Sequence, residues 1–573
     1  MTYDYDAIVI GSGLGGSSAA AHLAAVGRRV LLLERYSVLG GSSHVFRRQG
    51  KWEFDCGVHY VGDCGPHGQV PTLLHGLGLD DRISWLPLDP AGFDIVTGPD
   101  LELKVPHGWD AYEANLIAAF PEDAAGLRRM VAIMKALSTN FDRDLTPANG
   151  YGQWIRKTGP VSTLALLPLI AVLTLCGLKP RTMLAVSAQC GALATMPTTM
   201  ATVAFAQFLG NYVGGGASYP RGGGQILAAG FAEVVTSHGG TIRRNAAVER
   251  ILLEDGRVRG VRLADGEVIS APAVVSAGDV IRTYTELVGV EHLPRHLWAQ
   301  LRTWRMSRPL INGFFGIELD LSDALNANYY AIPTWDDATD LLRLGRFAGT
   351  VMAGRGFDDG AAWASQVAAR QPMFVQSSSR RDPGHAAAAP PGCATVEVQT
   401  ITPYAPTLWG FSGYDVASGD YRSDRAYQAV KDVLMEGMAA RIEQAFPGSS
   451  ARVRFSELGS PATQERYVGN TGGAPFGLAV SPGQVGPLRP GTKTAIPGLY
   501  LAGTSTAWGP GTEGAMLSGR QAASAIVGRD LSAEVRAGAV LVDRSSLRRW
   551  EPGFDPLTAT SSALGKAPAR GSR

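Results

Sequence analysis

The chain has 573 residues, and its 52 Lys and Arg against 51 Asp and Glu leave a formal charge of +1. That balance excludes a general nucleic-acid binder, which needs a basic surface excess. With 45% hydrophobic and 18% charged residues the chain is globular, and 71 glycines without a Gly-X-Y period exclude a collagen and imply backbone brought close to something.

Tyr3 to Ile10 reads as a strand, Gly11 to Gly16 as a glycine turn, Ser17 to Val26 as a helix closed by Gly27, and Arg29 to Glu34 as a second buried strand. This is a β-α-β start. The N-terminus shows no basic stretch followed by a long apolar one, so no cleaved signal peptide is expected. Residues 110–140 and 161–210 read as mainly helical. Val161 to Cys176 is apolar but interrupted by Pro168 and shorter than the about 20 residues a spanning helix needs, so a buried or interfacial helix is expected. Residues 241–275 carry a meander pattern, with Asp255-Gly256 and Asp265-Gly266 as hairpin turns.

Residues 355–394, rich in Ala, Pro, Arg and Ser, read as a flexible loop or insertion. Residues 425–446 read as an amphipathic helix. Residues 497–527 repeat the strand–glycine–helix grammar of the N-terminus. From about residue 530 the chain is a tail whose end, TATSSALGKAPARGSR, lacks apolar periodicity and is expected to be disordered. The cysteines, Cys56, Cys64, Cys176, Cys190 and Cys393, are scattered with no C-x-x-C. No metal site is expected, and reduced thiols point to a cytoplasmic compartment.

Gly11-Ser12-Gly13-Leu14-Gly15-Gly16 fits G-x-G-x-x-G, preceded by a strand and opening a helix, and the next strand ends in Glu34 at the spacing of a dinucleotide fingerprint. Gly11 permits the tight turn, Gly13 lets backbone N–H groups approach a pyrophosphate, and Gly16 lets the helix pack on the sheet. The helix N-terminus then faces the negative charge, and Glu34 suits ribose hydroxyls. The fingerprint alone does not separate FAD from NAD. The chain continues with Gly40-Gly41-Ser42-Ser43 and the extended segment FDCGVHYVG, which suits a longer cofactor. The second motif, IPGLYLAGTSTAWGPGTEGAMLSG, ends a buried strand at Gly503 and leads through further glycines into a helix whose N-terminus suits a reduced flavin.

Together GSGLGG with Glu34, GGSSHVF, FDCGVHYVG, SYPRGGGQILAAG and GLYLAGTSTAWGPGTEGAMLSG resemble the FAD-dependent phytoene desaturase, carotenoid isomerase and retinol saturase group of the amine-oxidase-like flavoproteins. The resemblance runs from residue 1 to about residue 528 and is thin between about 320 and 450. It implies an α/β fold with a Rossmann-like, discontinuous FAD-binding domain (residues 1–75, 220–300 and 485–530). A second, α+β substrate-binding domain (76–219 and 301–484) has a helical, membrane-associating part, and residues 531–573 are a tail without family counterpart. It also implies that Gly11, Gly13, Leu14, Gly15 and Gly16 hold the pyrophosphate and Glu34, with Arg35 beside it, the ribose. Gly41, Ser42 and Ser43 would lie by the ribityl chain or flavin. Val248 would meet adenine through its backbone, Gly503 and Thr504 would approach the pyrophosphate–ribityl region, and Thr512, Glu513, Gly514 and Ala515 would face the flavin ring. Thr504 stands where many members carry an acid, and Ser42 where one branch carries arginine.

The reaction implied is saturation, desaturation or cis–trans isomerisation of a hydrophobic polyene or isoprenoid, with a membrane surface as a further partner. The electron partner (oxygen, a quinone or a nicotinamide) stays open. His59 is the candidate proton-exchanging group, against a structural histidine bonded to backbone. Tyr60 reads as packing and Asp55 as a strand-end residue. Glu513 either tunes the ring or complements the helix dipole. The apolar stretch from Val161 to Phe208 either lines a tunnel or forms a buried helix pair. The alternatives are an oxidase of the same fold acting on an amine or polyketide, and a non-catalytic prenyl-lipid carrier.

Overall fold

The computed structural model describes residues 3–66, 68–139, 151–339, 359–403, 405–410 and 418–562, with isolated positions at 351, 354, 356, 357 and 416. Its first layer is a five-stranded parallel sheet in the order Thr241–Arg243, Val30–Leu33, Ala7–Ile10, Val274–Ser276, Leu499–Leu501. The strands AIVI and VLLL are buried throughout, as a parallel sheet covered on both faces requires. Segments nearly five hundred residues apart therefore share one sheet.

The helices Leu14–Ala25 and Gly511–Val527 follow the first and last sequence motifs and pack on each other. Their approach is so close that a Cβ on Gly519 would lie 2.2 Å from the Gly15 carbonyl oxygen. On the other side of the first helix packs Gln225–Ser237, which in turn is covered by Pro556–Thr560 of the tail. The end expected to be disordered begins at Thr558, but Thr558–Thr560 belong to that helix and Ser561 bridges to Val38, so residues 558–562 are ordered against the domain; residues 563–573 lie outside the described residues.

The meander forms from Val248–Glu254, Arg257–Leu263 and Val268–Ser270. Asp255 and Gly256 both take positive φ (50° and 72°), the backbone of a two-residue I′ hairpin turn.

The second layer is a seven-stranded sheet in the order Val453–Gly459, Leu310–Ile317, Ala394–Ile401, Met373–Gln376, Asn328–Ala331, Asp94–Gly98, Leu101–Val105. All its pairings are antiparallel except Asn328–Ala331 with Asp94–Gly98. The helix Arg425–Ala445 covers it, its N-terminus capped by the Asp424 carboxylate, which accepts from the Ala426 and Tyr427 N–H groups.

The flexible loop expected at 355–394 is there only in part: residues 382–393 hold no helix or strand, but the described residues before them are mostly regular. Residues 360–370 form a helix capped by Asp359, Met373–Gln376 is an interior strand of the seven-stranded sheet, and Ser378–Arg381 is a helical turn. The alanines of Gly360–Arg370 form a helix, as the best helix former does, whereas Ala386–Ala389, followed by two prolines, stay in turns and bends. The polar run that follows is buried against partners elsewhere in the fold, as described below.

The apolar stretch after Val161 is also divided. A 3-10 segment, Gly159–Leu164, gives way to the helix Leu169–Leu175, which starts after Pro168, a residue that suits a helix start but not its interior. Among the described residues no helix is long and apolar enough to cross a membrane.

Candidate functional site

One cavity of about 1930 Å³ runs between the two sheets. Ligand pockets usually hold about 300–1,000 Å³, so this one has room for a large cofactor and a substrate together. Its walls include Gly11, Gly13, Leu14, Gly15, Glu34, Arg35, Gly41, Ser42, Ser43, His59, Val248, Gly503, Thr504, Thr512, Glu513, Gly514 and Ala515. Every sequence-predicted site residue except Gly16 lies on one cavity. Gly16 sits beneath it, where a Cβ would be 1.9 Å from the Gly11 carbonyl oxygen.

Several of these positions are set by backbone. Gly11 has φ +91°, a conformation that favours glycine, and a Cβ on Gly13 would meet no protein atom within 4 Å. The open side of Gly13 therefore faces the cavity. Glu34 is buried; its Oε2 accepts from the Ser12 N–H (2.9 Å) and hydroxyl (2.7 Å), and its Oε1 from the Tyr36 N–H (2.7 Å). The carboxylate is thereby fixed at the end of its strand. Arg35 donates instead to the Arg466 carbonyl.

The Ser43 hydroxyl donates to the Gly40 carbonyl (2.7 Å), and the Gly503 N–H donates to the Ser518 hydroxyl (2.7 Å), so these two polar groups are spent inside the protein. Pro510 precedes the helix Gly511–Val527, and no side chain caps its N-terminus. Behind Thr504, the buried Arg489 donates to the carbonyls of Thr504, Thr506, Leu478, Ala479 and Gln484. This cation ties the second motif to residues 478–484.

Glu513 is buried in the first turn of that helix. It accepts from the Gly62 N–H (2.7 Å) and the Tyr212 hydroxyl (3.4 Å), and burial raises its pKa. It joins the helix to the FDCGVHYVG segment as well as complementing the dipole.

Among the described residues His59 is bonded to two side-chain amides and not to backbone. Its Nδ1 lies 3.0 Å from the Gln376 amide and its Nε2 2.7 Å from the Gln399 amide. Burial, then the nearby Arg381 charge, pushes its pKa down to about 3, so the ring is neutral near pH 7. Tyr60 does more than pack: its hydroxyl meets that of Tyr330 at 3.0 Å. Asp55 ends its strand but is buried, accepting from the Tyr219 hydroxyl and the Gly224 N–H (3.1 Å), and burial lifts it to about 6.

Among the buried carboxyls that were missed, Glu397 and Asp94 stand out. Glu397 accepts from Gln376 (2.6 Å) and Ser378 (2.8 Å); burial and the neighbouring Asp55 charge raise it to about 8. Asp94 accepts from Asn328 (2.6 Å) and Gln189 (2.7 Å) and is raised by burial to about 7. Arg381, also buried, donates to Asn328 and lies 5.7 Å from the Tyr219 ring. One signal was available in the sequence: Glu397 and Gln399 alternate with apolar residues in ATVEVQTI, which places both on one face of a strand.

One part of the cavity wall is apolar, made by Leu166, Leu184, Met196, Val203 and Phe208. This part comes from the Val161 to Phe208 stretch, so the tunnel-lining alternative describes it better than a plain buried helix pair. Tyr60, Tyr212, Tyr330 and Phe374 stack or tilt against one another where the two parts meet.

A family profile described as flavin containing amine oxidoreductase matches residues 14–307 and 468–527, more than half of the chain. The chain is 26% identical over 547 residues to prolycopene isomerase 2, chloroplastic, of an Oncidium hybrid cultivar, covering 93% of this chain and 85% of the relative. It is 27% identical over 572 residues to all-trans-retinol 13,14-reductase of Homo sapiens, covering 93% and 87%. Among solved structures, a putrescine oxidase double mutant matches with TM-score 0.61 at 13% identity, covering 92% of this chain and all of that one. Cyclohexylamine oxidase from Brevibacterium oxydans matches with TM-score 0.57 at 16% identity, covering 93% and 100%. At such identities the structural likenesses show the fold alone.

Proposed function

The chain belongs to the flavin containing amine oxidoreductase family, and from that premise we propose that it transforms carbon–carbon double bonds of a hydrophobic polyene or isoprenoid such as a carotenoid or retinoid. It is an FAD-dependent oxidoreductase or isomerase. The proposed reaction is saturation, desaturation or cis–trans isomerisation. The observation that carries it is a single cavity whose one arm is walled by glycine turns and whose other arm is walled by apolar side chains.

The residues present fit FAD. The open side of Gly13, the fixed Glu34 carboxylate and the helix N-terminus without a side-chain cap offer what a pyrophosphate, a ribose and an electron-rich ring require. We assign Gly11, Gly13, Leu14 and Gly15 to the pyrophosphate, with Gly16 supporting the turn from beneath. Glu34 and Arg35 take the ribose end, and Val248 the adenine. Gly41, Ser42, Ser43, Gly503 and Thr504 take the middle of the cofactor, and Thr512, Glu513, Gly514 and Ala515 the ring. Because the Ser43 hydroxyl and the Gly503 N–H are engaged within the protein, these two act through close backbone approach.

Bound FAD supplies hydride exchange with carbon. The apolar arm orients the substrate and excludes water, and the aromatic set of Tyr60, Tyr212, Tyr330 and Phe374 brackets the polyene where the two arms meet. His59 lines the cavity as a neutral ring held on both nitrogens by Gln376 and Gln399. In this reading residues 1–75, 220–300 and 485–530 form the cofactor domain and 76–219 and 301–484 the substrate domain. The protein is cytoplasmic and peripheral on a membrane: Ile155 and Leu166 line the cavity and are 51% and 48% exposed.

The test is the visible spectrum of the purified protein followed by mass analysis of extracted bound lipids. Flavin absorbance with a bound polyene is expected. A polar amine turned over in place of any polyene would sink the reading in favour of an amine oxidase.

A further inference from the structure

The amides on His59 cannot both be as they stand. Each ring nitrogen faces an amide nitrogen, yet a neutral imidazole has one acceptor and one donor. Amide nitrogen and oxygen are interchangeable by position, so one glutamine presents its oxygen instead. The surroundings decide which.

Gln376 and Glu397 are cross-strand partners in the antiparallel pairing of Met373–Gln376 with Ala394–Ile401, and Gln399 pairs with Phe374 in the same ladder. The Gln376 nitrogen lies 3.0 Å from His59 Nδ1 and 2.6 Å from Glu397 Oε2. An amide NH2 has two hydrogens, one for each of these acceptors. Glu397 Oε2 accepts there whether or not its other oxygen carries a proton. Turning Gln376 round would bury its NH2 at the position now held by Oε1, which has no hydrogen-bond partner. A buried N–H without a partner is rarer and costlier than a carbonyl in that state. Gln376 therefore stays, and Gln399 turns.

We propose that Gln376 and Gln399 are positioning residues that hold His59 as the neutral tautomer with its proton on Nε2, Gln376 being anchored by Glu397. Nδ1 accepts from Gln376, and Nε2 donates to the Gln399 oxygen. The charged groups around the ring oppose its protonation or leave it alone. Arg381, on the helical turn Ser378–Arg381, repels an imidazolium, Glu397 reaches the ring only through the Gln376 amide, and Phe374 offers a ring at 5.7 Å. Protonating Nδ1 would also displace the Gln376 hydrogen. His59 is thus a neutral ring whose one N–H is held by Gln399, so toward a bound substrate it is neither a free hydrogen-bond donor nor an imidazolium acid. This consequence for the substrate rests on the proposed function; the ring state does not.

The ring state is read directly in the FAD-loaded protein without substrate, by nitrogen-15 NMR of histidine-labelled protein, with His59→Gln assigning the signal. The expected spectrum shows Nε2–H and no titration between about pH 5 and 8. Gln376→Glu sets a carboxylate against Nδ1 and is expected to move the proton there or bring a titration into that window, whereas Gln376→Asn, the shorter amide, is expected to restore Nε2–H at least in part. A wild-type ring protonated on Nδ1, or titrating near its ordinary value, overturns the proposal. So does a Gln376→Glu protein that keeps the flavin spectrum and an unchanged ring. Absence of flavin absorbance would instead count against the proposed function, and the wild-type ring signal still decides the tautomer.

Discussion

A Cβ added to Gly15 would lie 2.6 Å from the amide nitrogen of Gly503, so the first and last glycine motifs touch backbone to backbone. The three fingerprint positions around it should separate by mutation. Gly13→Ala meets no protein atom, so the apoprotein is expected to keep its Tm while FAD affinity falls about tenfold or more, since the new methyl occupies the cavity. Gly16→Ala places its methyl 1.9 Å from the Gly11 carbonyl oxygen and is expected to lower both Tm and flavin content, overpacking of this kind costing about 1–3 kcal/mol. Calorimetry of the apoproteins and FAD titration check both. Equal loss of stability in the two variants would contradict the open side of Gly13.

The buried carboxyls make stability depend on pH. Asp55, Asp94 and Glu397 have folded pKa values raised to about 6, about 7 and about 8. The folded state therefore holds protons that the unfolded state has already released. Their contribution is fully present below the ordinary carboxyl range and is lost as pH rises through these values. The buried histidines act in the opposite direction at lower pH, so a difference between two proteins isolates one group. Glu397→Gln keeps a neutral acceptor for Gln376. The variant's stability relative to wild type is expected to climb by on the order of 1 kcal/mol per pH unit as pH rises from the ordinary carboxyl range toward about 8 and to level off above it, read as a growing difference in Tm. Parallel Tm curves for the two proteins would show that Glu397 does not titrate there.

Glu513 holds the Gly62 N–H, and with it the segment that carries His59 and Tyr60. Glu513→Ala leaves that buried donor short of an acceptor and the Tyr212 hydroxyl with only the Tyr60 carbonyl, which costs about 1–3 kcal/mol. A lower Tm is expected together with a broadened His59 signal, while Glu513→Gln, which keeps an acceptor oxygen, is expected to recover most of both. If Glu513→Ala shifts only the flavin potential and leaves Tm unchanged, the carboxylate tunes the ring without tying the segment.

Local grammar explains why the cofactor arm was legible in the sequence and the centre of the cavity was not. Gly11 to Gly16, Glu34 and Gly503 to Ala515 each announce a turn within a few residues, because a tight approach of backbone requires glycine wherever it occurs. Gln376, Gln399 and Glu397 meet His59 only through the register of two strands more than three hundred residues further on. No spacing in the chain encodes that meeting. The misreading of 355–394 has a related cause. Ser378, Arg381 and Asp382 look like a solvated loop, yet they are buried because Glu397, Asn328 and the Gly222 N–H answer them across the fold. Polarity in a sequence predicts exposure only where no partner is waiting. The alternation of Glu397 and Gln399 in an apolar strand was the one local trace of this network.

The apolar mouth gives the last prediction. Ile155 and Leu166 line the cavity and face solvent, and Leu175, outside the cavity wall, is 68% exposed in the same helical layer. Arg156 and Lys157 stand beside Ile155 on the helix Tyr151–Thr158. Apolar side chains next to cations suit an anionic lipid surface, where buried area and charge add. The wild-type protein is expected to sediment with vesicles containing phosphatidylserine and to be released by high salt only in part. Leu175→Ser is expected to weaken that binding several-fold while leaving flavin content and turnover of detergent-dispersed substrate unchanged. Equal sedimentation of the variant and the wild type would place the membrane contact elsewhere, and no sedimentation of either would mean that the substrate reaches the cavity from solution or from a carrier.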